Sequence, residues 1–148
     1  MATRVRRAEI GDLPGLAPLF DGYRRFYGQS GDLEASGAFL ADRVERRESI
    51  LLIAEEGSTP LGFSQLYPAF SSVRLELTYI LNDLFVASEA RGQGVASALL
   101  DASEEAAREE GAASLTLSTA RDNMPAQSLY QKAGWRQDER FLTFTKAL

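Results

Sequence analysis

The chain has 148 residues, 45% of them hydrophobic and 25% charged, which suits one compact domain over residues 1–148 and argues against wholesale disorder. It contains neither cysteine nor histidine, so disulfides, thiolate metal sites, thiol nucleophiles, histidine bases and Ser-His triads are all excluded. Twenty-one acidic against sixteen basic residues give a formal charge of -5, the wrong sign for a protein that grips nucleic-acid phosphates.

In chain order, Thr3 to Ala8 alternates weakly and predicts a first strand, with Asp12 placed to cap the helix after it. The basic start, Met1 to Arg7, runs into Ala-Glu-Ile-Gly-Asp rather than an apolar stretch, so no signal peptide is expected. No apolar run approaches the roughly 18–20 residues of a membrane span. A cytoplasmic protein with no membrane partner is the expectation. Leu13, Leu16, Phe20, Tyr23 and Tyr27 recur every three or four residues, the stripe of an amphipathic helix. Pro14 falls in its first turn, where a missing N–H does no harm, and Gly28-Gln-Ser-Gly31 breaks it. Leu33, Phe39, Leu40 and Val44 predict a second helix ending near Arg47.

The period then changes. Ser49 to Glu55 reads as a strand and Glu56-Gly57-Ser58 as a turn. Leu61 to Phe70 reads as the hairpin partner, interrupted at Pro68. Arg74 to Val86 is the longest strand candidate. It is apolar on both faces, which places it centrally in the sheet. Gly92 to Gly111 holds a helix with Val95, Ala98, Leu99, Ala102 and Ala106 inward. Ala113 to Ser118 is a short strand, Asn123 caps a last helix that Gly134 stops, and Trp135 and Phe141 to Phe144 predict two closing strands. The order is β-α-α-β-β-β-α-β-α-β-β: an α/β domain whose mixed, mostly antiparallel central sheet is flanked by helices.

The chemistry concentrates in Leu84-Phe-Val-Ala-Ser-Glu-Ala-Arg91-Gly-Gln-Gly-Val-Ala96, where a strand ends and a glycine-containing loop opens a long helix. Helix-start N–H groups have no internal acceptors, and the helix dipole adds partial positive charge there. Gly92 and Gly94 keep side chains out of the way, and Arg91 adds a cation at the rim. The pattern predicts a pyrophosphate site. It is not the dinucleotide fingerprint, because no carboxylate ends the next strand, Leu117-Ser-Thr-Ala120. The Gly-Lys-Ser/Thr of a nucleoside-triphosphate loop is absent.

Arg91-Gly-Gln-Gly-Val-Ala96 instead resembles R/Q-x-x-G-x-G/A, the acetyl-CoA motif of the GNAT superfamily of N-acetyltransferases. Asn123-Met-Pro-Ala-Gln-Ser-Leu-Tyr-Gln-Lys-Ala-Gly-Trp135 resembles that superfamily's second motif, N-x-x-A-x-x-L-Y-x-x-x-G-F/W. Leu81-Asn-Asp-Leu-Phe-Val86 and Tyr23-Arg-Arg-Phe-Tyr27 are similar to its polyamine and fungal histone/D-amino-acid branch. The resemblance implies acetyl-CoA as co-substrate, with no metal. It is expected to be held by Phe85 and Val86, by Arg91, Gly92, Gln93, Gly94, Val95, Ala96 and Ser97, and by Asn123 and Tyr130. It implies direct transfer to an amine, with a small polyamine or amino-acid-like acceptor preferred. A protein N-terminus or lysine, and a non-catalytic acyl-CoA sensor, are the alternatives. A homodimer is compatible with it.

Acetyl transfer needs a neutral amine, a stabilised oxyanion and a proton for the leaving thiolate. The resemblance puts Tyr130 beside the CoA sulfur, where a phenol near pKa 10 can supply that proton. It also implies that the strand ending at Val86 splays from its neighbour, leaving backbone N–H groups for the oxyanion. Asn123 is expected to contact the pantetheine arm, to cap its helix, or both. Asp83 interrupts an apolar strand, with Asn82 turned to the opposite face. As a buried carboxylate it needs a partner, either an amine acceptor or a structural hydrogen bond. Glu76 is a further base candidate. Phe26 and Tyr27 line the acceptor pocket or belong to the core.

Overall fold

The computed structural model describes residues 3–148. By compactness the chain forms two units, Met1–Leu117 and Ser118–Leu148. In the first, β1 (Arg4–Arg7) leads through a 3-10 turn, Ile10–Asp12, into helices α1 (Leu13–Phe26) and α2 (Leu33–Glu45). Strands β2 (Ile50–Glu56), β3 (Thr59–Ser71) and β4 (Glu76–Val86) follow, then a second 3-10 turn, α3 (Val95–Glu109) and β5 (Ser114–Thr116). The second unit holds α4 (Met124–Lys132).

The five strands lie side by side in chain order. The first three pairings are antiparallel and β4–β5 is parallel, as expected when a helix separates two strands of one sheet. Alternation sorts the side chains. Leu51, Ile53 and Phe63 pack with Leu13, Leu16 and Phe20 of α1 and Leu40 of α2. On the opposite face the buried Ser64 hydroxyl bonds that of Ser103 on α3 at 2.8 Å. Gly62 lets Leu99 approach the sheet: a Cβ there would stand 3.3 Å from Leu99 Cδ1 and 2.6 Å from the Phe85 carbonyl oxygen.

Four local expectations need correction. Asp12 does not cap α1 with its side chain. Its carboxylate accepts the Glu9 N–H at 2.7 Å and two bonds from the Arg6 guanidinium at 2.8 Å, and Arg6 also reaches Glu55 at 2.9 Å. Pro68 does not interrupt β3. The β2 ladder ends at Leu66, so from there β3 has one neighbour and proline's missing donor costs no pairing. Asn82 does not turn away from Asp83. Gln65 pairs with Asp83 while Leu66 pairs with Leu81, so Asn82 is an extra residue, a β-bulge that breaks the alternation.

The two closing strands are also not formed. Gly134 takes φ 91°, the left-handed conformation that ends a helix, and the Trp135 N–H then donates to the Tyr130 carbonyl at 2.9 Å. Trp135 thus finishes α4 rather than starting a ladder. Phe141, Leu142 and Phe144 are exposed, and residues 133–148 contain no helix or strand.

Candidate active site

The ladder between β4 and β5 covers only Thr78 to Ile80, although β4 continues to Val86. Among the described residues, the second half of β4 therefore has a strand on one side and none on the other. The Ala87 N–H donates to the Leu61 carbonyl of β3 at 2.8 Å. Strand alternation then turns the N–H and C=O of Val86 to the open edge. Arg91 agrees, since its Nε donates to the Val86 carbonyl at 3.1 Å. Its guanidinium carbon also sits 5.5 Å from the centroid of the Phe85 ring, within cation–π range.

The loop after Arg91 owes its shape to its glycines. Gly92 and Gly94 adopt φ 76° and 81°, where a Cβ is strained. A Cβ on either would meet nothing within 4 Å. Gly94 is the N-cap of α3 and offers no side-chain acceptor, and the first helical bond is Ala98 N–H to Gly94 C=O at 3.1 Å. The N–H groups of Val95, Ala96 and Ser97 consequently have no intrahelical acceptor, at the positive end of a fifteen-residue helix. Gln93 is tied back to the Glu89 carbonyl at 3.2 Å. Open space over glycines and three unclaimed donors fit the diphosphate of a coenzyme A.

A cavity of about 480 Å³ lies between α1, α2 and the sheet. Its aromatic lining is Phe20, Tyr23, Tyr27, Phe39 and Tyr67, and it reaches Asn82 and Asp83 at the bulge. Asp83 is 3% exposed. Its Oδ2 accepts from Gln65 Nε2 at 2.7 Å and its Oδ1 from Asn82 Nδ2 at 2.8 Å. Burial pushes the carboxyl above the ordinary range, and the bonds from Gln65, Asn82 and Tyr23 offset part of that rise. Gln65 is itself oriented, because Ser49 donates to its Oε1 at 2.8 Å. The Tyr23 hydroxyl donates to the Asn82 carbonyl at 3.0 Å. Burial, and secondarily the charge of Asp83, pushes the Tyr67 phenol up to about 12.

Tyr27, Asn82 and Asp83 thus share one cavity, while Val86, Arg91 and the start of α3 share another locus at the end of β4. Phe85 joins the two, its ring 5.9 Å from that of Tyr23. Phe26 is exposed and packs 6.5 Å from Phe85, so it belongs neither to the core nor to the cavity lining. Glu76 stands opposite Ser71 at the far end of β4, seven residues from Asp83 or roughly 23 Å of strand. In the second unit, Asn123 is the N-cap of α4 and its Oδ1 accepts the Ala126 N–H at 3.2 Å. Tyr130 lies two turns along, its ring 6.1 Å from that of Trp135.

The family model of the acetyltransferase (GNAT) family matches residues 16–135. The chain belongs to this family. As an acetyltransferase it is 46% identical over 140 residues to the uncharacterized N-acetyltransferase YhfO of Bacillus subtilis (strain 168), covering 95% of this chain and 94% of that one. It is 27% identical over 123 residues to the aminoglycoside N(6')-acetyltransferase type 1 of Serratia marcescens, covering 76% and 84%. The crystal structure of "a probable acetyltransferase" superposes with a TM-score of 0.91 at 44% identity, covering 98% of this chain and 97% of that one.

Two residues of this acetyltransferase's site, one lining the cavity and one bonded behind it to Asp83, escape a reading of the sequence. Arg24 lines it too, and its spacing of four from Phe20 and three from Tyr27 is a helical-face signal overshadowed by the apolar stripe. Gln65 sits in a mostly apolar strand, and its partner could be found only once the register with Asp83 was known.

Proposed function

We propose that this enzyme transfers the acetyl group of acetyl-CoA directly to a small-molecule amine. The observation that carries the reading is the glycine-turned start of α3 beside the open edge of β4. The free N–H groups of Val95, Ala96 and Ser97, with Arg91 at the rim, receive the pyrophosphate. The Val86 N–H faces the thioester carbonyl oxygen and stabilises the charge that develops on it. The acceptor's ammonium enters the aromatic cavity toward Asp83 and loses a proton through that carboxylate or water. Its nitrogen then attacks the carbonyl carbon, the C–S bond breaks, and the Tyr130 hydroxyl, in the role that the family motif implies for it, protonates the departing sulfur. The proton shed by the acylated nitrogen returns through solvent to restore that phenol. Asn123 caps α4 and contributes to the pantetheine side.

The chain offers no cysteine for a covalent acetyl-enzyme, which favours direct transfer. The likeness of residues 23–27 and 81–86 to the polyamine and fungal histone/D-amino-acid branch is compatible with a small acceptor, with a protein N-terminus or lysine as the alternative. The test is thermal melting with acetyl-CoA, NAD or ATP at equal concentration, followed by thiol release across a panel of amines. Acetyl-CoA should raise the melting temperature most, by mass action, and at least one amine should release CoA. Equal stabilisation by NAD would refute the assignment.

A further inference from the structure

Gln65 stands in the middle of the sheet, paired with Leu51 of β2 on one side and Asp83 of β4 on the other, and it is fully buried. A buried amide in such a place is costly unless each of its ends finds a partner. Both ends do. An ionised carboxylate can only accept, so Asp83 Oδ2 draws the amide nitrogen, at 2.7 Å. The amide oxygen then faces Ser49, whose single hydroxyl proton is directed at it over 2.8 Å. Both donors in this chain point toward the carboxylate, which is the polarity an ionised Asp83 requires. Asp83 has two other donors. Asn82 is exposed at the bulge, where water competes for its amide, and the Tyr23 hydroxyl divides its one proton between the Asn82 carbonyl and Asp83. Of the three, Gln65 is the one that is fully buried and oriented from behind.

We infer that Gln65 is a positioning residue for acetyl transfer: with its amide turned by Ser49, it offers Asp83 a fixed donor and so keeps that carboxylate ready for the proton of an incoming ammonium. The inference rests on the acetyltransferase reading and assigns the residue that tunes its base. Asp83 takes one proton from the ammonium, leaving a neutral amine and a carboxylic acid, and passes it to water after transfer. Burial opposes the ionised carboxyl, and the bond from Gln65 is the largest of those that offset it. The other titratable groups on the cavity are Tyr23 and Arg24 of α1, Tyr27 just after it and Tyr67 of β3; α2 contributes none. Arg24 is engaged by the Ser30 carbonyl at 3.2 Å and by Asp21 at 3.5 Å. Arg43 and Glu48, which act on Tyr67, pair with each other at 3.0 Å. The tuning therefore falls to neutral donors, Gln65 first.

The test follows the Asp83 carboxyl by carbon-13 magnetic resonance across the acid and neutral range, with Asp83→Asn to identify its signal. The pH profile of kcat/KM is measured beside it with the amine that releases CoA fastest, and acetyl-CoA binding by calorimetry. Gln65→Met keeps the length and bulk of the side chain but donates nothing. It should raise the carboxyl midpoint by about one to two pH units, the scale of one hydrogen bond to a charged group. The acid limb of kcat/KM should rise by the same interval, with acetyl-CoA affinity unchanged. Ser49→Ala, which frees the amide without removing it, should move midpoint and limb in the same direction by less. A merely structural Gln65 would lower the melting temperature and leave both where they are; that result in either folded variant would overturn the inference. A midpoint that moves while the limb stays would overturn it too. If Gln65→Met does not fold, Ser49→Ala decides alone. Failure of the acetyltransferase reading looks different: no amine releases CoA from the wild type, while the Asp83 midpoint still moves in Gln65→Met.

Discussion

At the scale of single residues, backbone geometry and chemistry separate cleanly. Gly94 is needed twice, once because φ 81° strains any side chain and once because the space above it is where the pyrophosphate is proposed to lie. Gly94→Val should leave the far-UV spectrum unchanged and abolish stabilisation by acetyl-CoA; normal binding would reduce the loop to a turn. Tyr130→Phe keeps the ring against Trp135 and should change stability by no more than about 1 kcal/mol. If its hydroxyl protonates the leaving sulfur, kcat should fall by about 10²–10⁴, and the high-pH limb of the rate profile should change. Full activity with an unaltered pH profile would return Tyr130 to a packing role.

At the scale of elements, the decisive contact is between β3 and β4 at Gly62. An added Cβ would stand 2.6 Å from the Phe85 carbonyl oxygen, a backbone atom that can yield only if the strands part. Gly62→Ala should therefore cost on the order of 1–3 kcal/mol. It should also weaken acetyl-CoA binding, because Val86 follows directly; an unchanged melting temperature would show that the strands give freely. The sequence made most of these elements legible. Period three-to-four residues marked α1 and α3, and apolar runs marked β2 to β4, because burial dictates both. It failed where one residue's behaviour depends on a partner far along the chain. The bulge at Asn82 exists only relative to Gln65 and Leu66. The apolar residues Phe141 to Phe144 looked like a strand because periodicity cannot tell whether a ladder partner is present. The glycine loop was readable since φ preference is local; the cavity's second charge, Arg24, was hidden by its aromatic neighbours.

At the scale of the whole molecule, two buried or bonded carboxylates give acid stability opposite signs. Asp12 is held at about 2, first by its hydrogen bonds from Arg6, below an ordinary value of about 3.9. Its contribution is complete above about pH 4 and is lost as pH falls toward 2. The carboxyl of Asp83 is raised by burial, so the folded state keeps that proton where the unfolded chain has released it. This contribution declines as pH rises from about 4 through the raised value. In melting temperatures from pH 2.5 to 7, Asp12→Asn should flatten the acid side. The advantage of Asp83→Asn over wild type should grow with pH above about 4; curves running parallel to wild type would contradict both assignments. The bulge also governs how such a chain can change over generations. Asn82 is the surplus residue, so losing its codon would leave a regular ladder with Phe85 and Val86 in place. Adding a codon after Asp83 would instead shift every later residue of the strand to the other face, carrying Phe85 out of its aromatic cluster and the Val86 amide away from the open edge. Acceptor pocket and cofactor edge would be lost in one event. This stretch can drift by replacement but cannot lengthen, whereas the exposed connection at residues 29–31 can lengthen or shorten and so offers lineages the freer route to a new acceptor.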